Sequence, residues 1–283
     1  MNRISVGLIG DGLSCYRHAR AVSTSAHFAL SSIAPLDIQK GREIMRIHNI
    51  PHLDRDPEYL LERDDIDAVV IALPTELHMR YTEYAERHDK IVVIESPVTL
   101  SLEESEEIYR KVKDEGAFLF NANPYLYAPA LERMDRNSFQ TFSLSFSSLY
   151  LSRNEMLHIA LETLVRAFGR INALVDAGNG EYGAVLERGE GTISLLKKPD
   201  SYGLTLKAGD GLIFDNDEYY GFLPDFYRYL FHTLESGSSS DDTLFCTLEA
   251  LRAETGPDIP NNTTAAAIEE GRKLMSDPAA PRY

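Results

Sequence analysis

The chain contains no tryptophan and only two cysteines, Cys15 and Cys246, far apart in its 283 residues. Two isolated thiols cannot build a disulfide framework, and no CxxC pair or Cys/His cluster offers the spacing of a zinc site. Positive charge is scarce: 28 Lys and Arg stand against 44 Asp and Glu, a formal net charge of −16. Such a field repels a phosphate backbone and an anionic bilayer, so neither nucleic acid nor membrane is an expected partner. No apolar run approaches the ~20 residues of a membrane span. The first residues run directly into a strand pattern without a signal-peptide segment, and the expected compartment is a reducing cytoplasm.

What remains is ordinary for a globular chain, with 43% hydrophobic and 25% charged residues and length enough for about two domains. Residues 1–123 alternate strand and helix. Strands are expected at Arg3–Gly10, Phe28–Ala34, Ala68–Leu73, Ile91–Glu95 and Ala117–Asn121. Ala68–Leu73 and Ile91–Glu95 are continuous apolar runs, the pattern of a parallel sheet covered on both faces. Helical spacing recurs over Ser14–Val22, Asp37–Ile47, Pro57–Arg63, Glu76–His88 and Leu102–Glu115, and Ser101 with Glu104 reads as a capping box for the last. The predicted first domain is a doubly wound Rossmann sheet, whose ligands lie beyond the carboxyl ends of the strands.

Residues 124–283 read as a second, α+β domain with a mostly antiparallel open sheet. Phe142–Ser147 alternates with period two, and a helix is expected over Asn154–Phe168. Four or five strands should follow, split by turns at Gly178-Asn179-Gly180, Gly189-Glu190-Gly191, Pro199-Asp200 and Gly209-Asp210-Gly211. Helices close the chain near Leu223–Ser236, Thr243–Glu254 and Thr264–Met275. Tyr219, Tyr220, Phe222, Phe226, Tyr227, Tyr229 and Phe231 form an aromatic cluster, and the four-residue spacings within it favour a core-facing helix over a binding surface.

The feature that carries chemistry is Gly10-Asp11-Gly12-Leu13-Ser14-Cys15, closing the apolar run Ile4–Ile9. A strand, a glycine turn and a helix start make a phosphate cradle: small residues admit the pyrophosphate, and the helix N-terminus offers unpaired N–H groups. The turn continues into Tyr16-Arg17-His18-Ala19. Further on come Ile66-Asp67-Ala68-Val69-Val70-Ile71-Ala72-Leu73-Pro74-Thr75-Glu76-Leu77-His78 and Val92-Val93-Ile94-Glu95-Ser96-Pro97. Together these resemble the glucose-fructose oxidoreductase/inositol dehydrogenase/MocA (Gfo/Idh/MocA) family. Glu95-Ser96-Pro97-Val98-Thr99-Leu100-Ser101 and Leu164–Gly169 are similar to the biliverdin-reductase-like branch of that family.

The resemblance implies NAD or NADP as cofactor, a small-molecule substrate, and a homodimer or homotetramer built through the C-terminal sheet. It places Gly10, Gly12 and Ser14 at the pyrophosphate and Pro74 and Thr75 beside the nicotinamide. His78 would hold the adjoining loop. Glu95 is either a nicotinamide-ribose contact or a strand-end cap. The family's ribose-binding acid falls on Pro35, which cannot accept from a diol; Asp37 is either its substitute or a helix N-cap, and Lys40 and Arg42 are candidates for a 2′-phosphate. The family's catalytic lysine is replaced by Ser96, and its helical Asp-x-x-x-His becomes Asn154-x-x-x-His158. His158 is then the remaining acid–base candidate or a core-edge histidine, and Tyr125 or Tyr127 is a phenolic donor or packing. Cys15, at the third small position of the turn, is a buried structural thiol or a redox group. Two functions stay open: an NAD(P)-dependent oxidoreductase with a degenerate catalytic motif, or a nucleotide-sensing or partner-binding protein that has lost the chemistry.

Overall fold

The computed structural model describes residues 3–134, 138–198, 202–209, 211–216, 219–238 and 241–255. The chain divides into two compact units, residues 1–127 with 220–245, and residues 128–219 with 246–283. The first unit opens with β1 (Ile4–Ile9), α1 (Leu13–Ser23), β2 (Phe28–Ala34), α2 (Ile38–His48), β3 (His52–Leu53) and α3 (Pro57–Leu61). It continues with β4 (Ala68–Ile71), α4 (His78–Glu86), β5 (Ile91–Ile94), α5 (Leu102–Glu115) and β6 (Leu119–Asn121). All six strands are parallel, in the order β3-β2-β1-β4-β5-β6. The strand order reverses at β1/β4, so the crevice for a ligand opens beyond their carboxyl ends. β4 is buried at every residue, as its unbroken apolar run predicts. β3 is only two residues long, too short to leave a periodic signal in the sequence.

Local sequence explains where the helices start. Asp37 caps α2, its Oδ1 accepting the Gln39 and Lys40 N–H groups at 2.8 and 3.4 Å. Asp56 caps α3 in the same way, with Pro57 behind it. At α5, Ser101 accepts the Glu104 N–H at 3.3 Å, but the expected reciprocal bond is absent. Thr99 intervenes: its hydroxyl donates to the Glu104 carboxylate and accepts the Ser101 N–H at 3.0 Å. The box therefore closes through a third side chain.

The second unit contains α6 (Pro129–Glu132), β7 (Gln140–Ser148), α7 (Arg153–Phe168), β8 (Ile171–Gly178), β9 (Glu181–Leu186), β10 (Gly189–Leu196), β11 (Tyr202–Ala208) and β12 (Gly211–Asn216). Ser152 and Glu155 form a complete capping box at the start of α7. The sheet order is β12-β11-β7-β10-β9-β8. It is mixed, because β10 runs parallel to β7, pairing Gly189 with Gln140 through Leu196 with Ser147. Gly189-Glu190-Gly191 begins β10 and is not the expected turn. A Cβ on Gly191 would fall 1.9 Å from the Phe142 carbonyl oxygen, so this glycine answers a close backbone approach. Gly178-Asn179-Gly180 is the β8–β9 turn, with all three residues at positive φ. Pro199-Asp200, Asp210 and the helix expected at Thr264–Met275 lie outside the described residues.

The chain ends, within the described residues, on α8 (Leu223–Ser236) and α9 (Asp241–Thr255). Helix α8 packs on α1 in the first unit. Phe226 is fully buried, the Tyr227 ring lies 5.3 Å from Phe28, and Phe231 stacks on His27 at 3.6 Å. Phe226 and Tyr227 fill a core, with Phe231 half-buried at its edge; the side chains of Tyr219 and Tyr220 are not among those described.

Candidate dinucleotide site

The backbone leaves β1 through Gly10, at φ +133°, whose N–H donates to the Ala34 carbonyl at 3.0 Å. A Cβ there would sit 2.2 Å from the Ala72 carbonyl oxygen, so the turn passes the end of β4 only as glycine. Gly12 is different. It is the N-cap of α1 in an extended conformation, and nothing lies within 4 Å of where its Cβ would be. Gly12 offers α1 no side-chain cap, and among the described residues no side chain accepts from the N–H groups of its first turn. A cradle that a side chain would fill, backed by unclaimed N–H groups, is what a dinucleotide pyrophosphate requires. Ser14 stands half-buried in the same turn. Cys15 is fully buried, and burial, reinforced by the Asp11 and Glu95 carboxylates, pushes its thiol well above the usual range. It packs helix against sheet and is no thiolate.

At the end of β2, Pro35 is buried, with its ring where a Cβ on Gly41 would be. Asp37 is exposed, and its carboxylate serves α2 as cap. Its own N–H donates to Asp11 Oδ2 at 2.5 Å, a contact that sequence reasoning missed because Asp11 lies between the two glycines in the turn's variable position. A cavity of about 350 Å³ lies beside it, with Asp11, Gly12 and Tyr16 on one side and Lys40, Glu43 and Ile47 on the other.

On the opposite side of the switch point, Pro74 is exposed and Thr75 half-buried in a 3₁₀ turn. His78 is enclosed and ties two loops together: Nε2 lies 2.8 Å from the Leu73 carbonyl and Nδ1 lies 3.0 Å from that of Val98. Burial holds its pKa below the usual imidazole value despite both carbonyls. Ser96 is buried at the exit of β5. Glu95 is buried beside it and accepts from His18 Nε2 at 2.9 Å, while His18 Nδ1 lies 2.8 Å from the Tyr227 hydroxyl. The pattern suits the tautomer with hydrogen on Nε2: the phenol donates to Nδ1 and Nε2–H donates to the carboxylate. Of this chain the sequence singles out Glu95 as a site candidate and Tyr227 as an aromatic of a core-facing helix; His18 stands in the glycine-turn motif without a role. Replacing Tyr227 by phenylalanine is expected to cost about 1–2 kcal/mol in urea unfolding, because His18 Nδ1 is left without its donor inside the core.

Of the remaining acid–base candidates, Tyr125, Tyr127 and His158 are buried and Asn154 is exposed. Tyr125 is fully buried with Phe222 at 6.4 Å, and Tyr127 donates its hydroxyl to the Asn121 carbonyl at 2.6 Å. In the second unit Asn154 is exposed in the first turn of α7, whereas His158, one turn later, has no exposed surface. Its Nδ1 lies 3.0 Å from Glu254 Oε1 and its Nε2 lies 3.3 Å from Glu162 Oε1. Glu162 is also fully buried and accepts the Thr247 hydroxyl at 2.6 Å. Burial pulls the His158 pKa down, but the Glu162 and Glu254 carboxylates outweigh it and hold it up at about 9. At neutral pH this is an imidazolium clamped between two glutamates. Asn154 and His158 share a helix face yet do not meet the same surroundings. Among the described residues no group of His, Cys, Asp and Glu side chains can hold a metal ion, and no helix is long and apolar enough to cross a membrane.

Residues 4–122 match the sequence model of the Gfo/Idh/MocA oxidoreductase family, NAD-binding Rossmann fold. The NAD(+)-dependent scyllo-inositol 2-dehydrogenase of Bacillus subtilis (strain 168) is 34% identical over 141 residues, 47% of this chain and 41% of that protein. The curated relatives are thus matched over less than half of their length. Among solved structures, scyllo-inositol dehydrogenase from Lactobacillus casei, with NAD(H) and scyllo-inositol bound, superposes with a TM-score of 0.73 at 12% identity, over 89% of this chain and 96% of that one. Biliverdin reductase from Synechocystis sp. PCC 6803, in complex with biliverdin and NADP+, gives 0.65 at 16% identity over 93% and 98%. At these identities both show the fold, and neither selects a branch. The glycine turn, the strand order and the match over residues 4–122 agree: this part of the chain is a Rossmann fold similar to the NAD-binding fold of the Gfo/Idh/MocA oxidoreductases.

Proposed function

We propose that the chain is an NAD(P)-dependent oxidoreductase that moves hydride to or from a small-molecule substrate without the family's lysine and helical aspartate. The observation that carries this reading is the open cradle at Gly12, at the switch point of an all-parallel sheet. Bound nicotinamide dinucleotide would supply or take the hydride. The first-turn N–H groups of α1 and the Ser14 hydroxyl would hold the pyrophosphate. Pro74 and Thr75 would border the nicotinamide, and Glu95 and Ser96 would face its ribose.

Proton handling is where this chain departs from its family. Ser96 can donate a hydrogen bond but has no pKa near neutrality, and loss of a positioned acid–base group costs ~10²–10⁴ in rate. With His158 sealed between glutamates, solvent is the proton source, which suits an electrophilic acceptor better than an alcohol. The same enclosure of His158 favours a second reading, a nucleotide-binding protein without turnover.

Nicotinamide absorbance, followed with the full chain against carbonyl, imine and polyol panels, separates the two. Oxidation of NADH or NADPH by a carbonyl or imine supports the enzyme; binding without turnover across the panels supports the second reading. Failure to bind any reduced or oxidised dinucleotide overturns both.

A further inference from the structure

The end of β2 holds a contradiction. A buried proline occupies the place of the ribose-binding acid, yet the cavity of about 350 Å³ beside the glycine turn is bordered by Asp11 and Glu43, with Asp37 next to it. We propose that Asp11 has taken over recognition of the adenosine ribose and that it selects NAD(H) against NADP(H). This rests on the dinucleotide-binding reading given above and deepens it.

Three observations support the assignment. First, the Asp37 N–H holds Asp11 Oδ2 at 2.5 Å, which pins the carboxylate across the gap between the exits of β1 and β2. Its Oδ1 has no hydrogen-bond partner among the described residues and can accept from a ribose hydroxyl. Second, the N-terminus of α2, which would otherwise attract a 2′-phosphate, is already occupied by a negative charge. Asp37 Oδ1 accepts the Gln39 and Lys40 N–H groups there. Third, the cavity's charge balance is wrong for phosphate. Asp11 and Glu43 line it and Asp37 adjoins it, against one lining cation, Lys40. A phosphate monoester carries about −1.5 to −2 at neutral pH and would be placed among three carboxylates. Discrimination therefore comes from repulsion of the wrong cofactor as well as attraction of the right one.

The test is a calorimetric titration of the full chain with NADH and with NADPH at low and at raised salt. NADH is expected to bind at least ~10-fold more tightly at low ionic strength, with the ratio shrinking as salt screens the carboxylates. Asp11→Asn keeps an oxygen for the Asp37 N–H while removing the charge. It should bring the ratio to within about 3-fold, mainly by tightening NADPH. Glu43→Gln, on the exposed face of α2, should shift the ratio in the same direction and serves if the first variant does not fold. NADPH binding as tightly as NADH, or a ratio that neither folded variant moves, overturns the inference and leaves the oxidoreductase reading standing. Binding of neither cofactor overturns both.

Discussion

Gly12→Val is expected to weaken NADH binding by at least about 100-fold while lowering the melting temperature of the protein by no more than about 4 °C. Gly12 has φ −80° and ψ −174°, which any residue adopts, and a Cβ there meets no atom within 4 Å. The substitution therefore meets no steric cost, and the poorer N-cap that valine makes costs about 1 kcal/mol. The added side chain instead fills the space in front of the first turn of α1 and lifts the pyrophosphate off its N–H groups. Hydrogen bonds to a charged group contribute about 1.5–3 kcal/mol each, so losing two accounts for a fall of this size. Gly10→Ala makes the contrast: its φ of +133° and the Ala72 carbonyl 2.2 Å from the new Cβ predict a loss of about 2–4 kcal/mol of stability. Thermal unfolding and cofactor titration of the two variants check the assignment together. If Gly12→Val binds NADH like the parent, the pyrophosphate does not lie on this turn.

His158→Ala is expected to destabilise the protein by about 3–5 kcal/mol, because Glu162 and Glu254 would be left facing each other without a counter-charge. A catalytic histidine gives the opposite signature, loss of turnover with little change in stability. The pH dependence of the parent supplies a second check. The His158 pKa is about 9 when folded, against an unfolded value of 6.5. A raised folded pKa means that the folded state holds the proton more tightly. The stabilisation is thus fully present below pH 6.5 and is lost as pH climbs through about 9. Denaturant midpoints should fall across that window by the equivalent of ~3 kcal/mol in the parent and by much less in His158→Ala. A flat profile in the parent would show that the imidazole is not the counter-charge of these glutamates.

The legibility of the chain followed sequence distance. In the first 123 residues, strands and helices were readable because each leaves its own period, and because glycine, proline and capping aspartates mark the ends. Asp37 was read both as ribose ligand and as cap, and the local bonds to Gln39 and Lys40 give it the cap. In the second half the elements were readable but their pairing was not. Nothing local tells Gly189–Leu196 to lie parallel to Gln140–Ser147, since two strands and α7 intervene.

By itself, then, the sequence determined the Rossmann sheet and the glycine turn, whose signals come from residues a few positions apart. The tertiary structure decided what the polar side chains do. His158 became an enclosed imidazolium through Glu254, 96 residues away. Glu95 was tied to His18, 77 residues away, and through it to Tyr227, 209 residues beyond His18. Asp11 reached the loop after β2, 26 residues on. Periodicity reports which face of an element is buried, whereas the charge and proton of a buried group depend on the partner folding brings to it, and that partner has no fixed spacing in the chain.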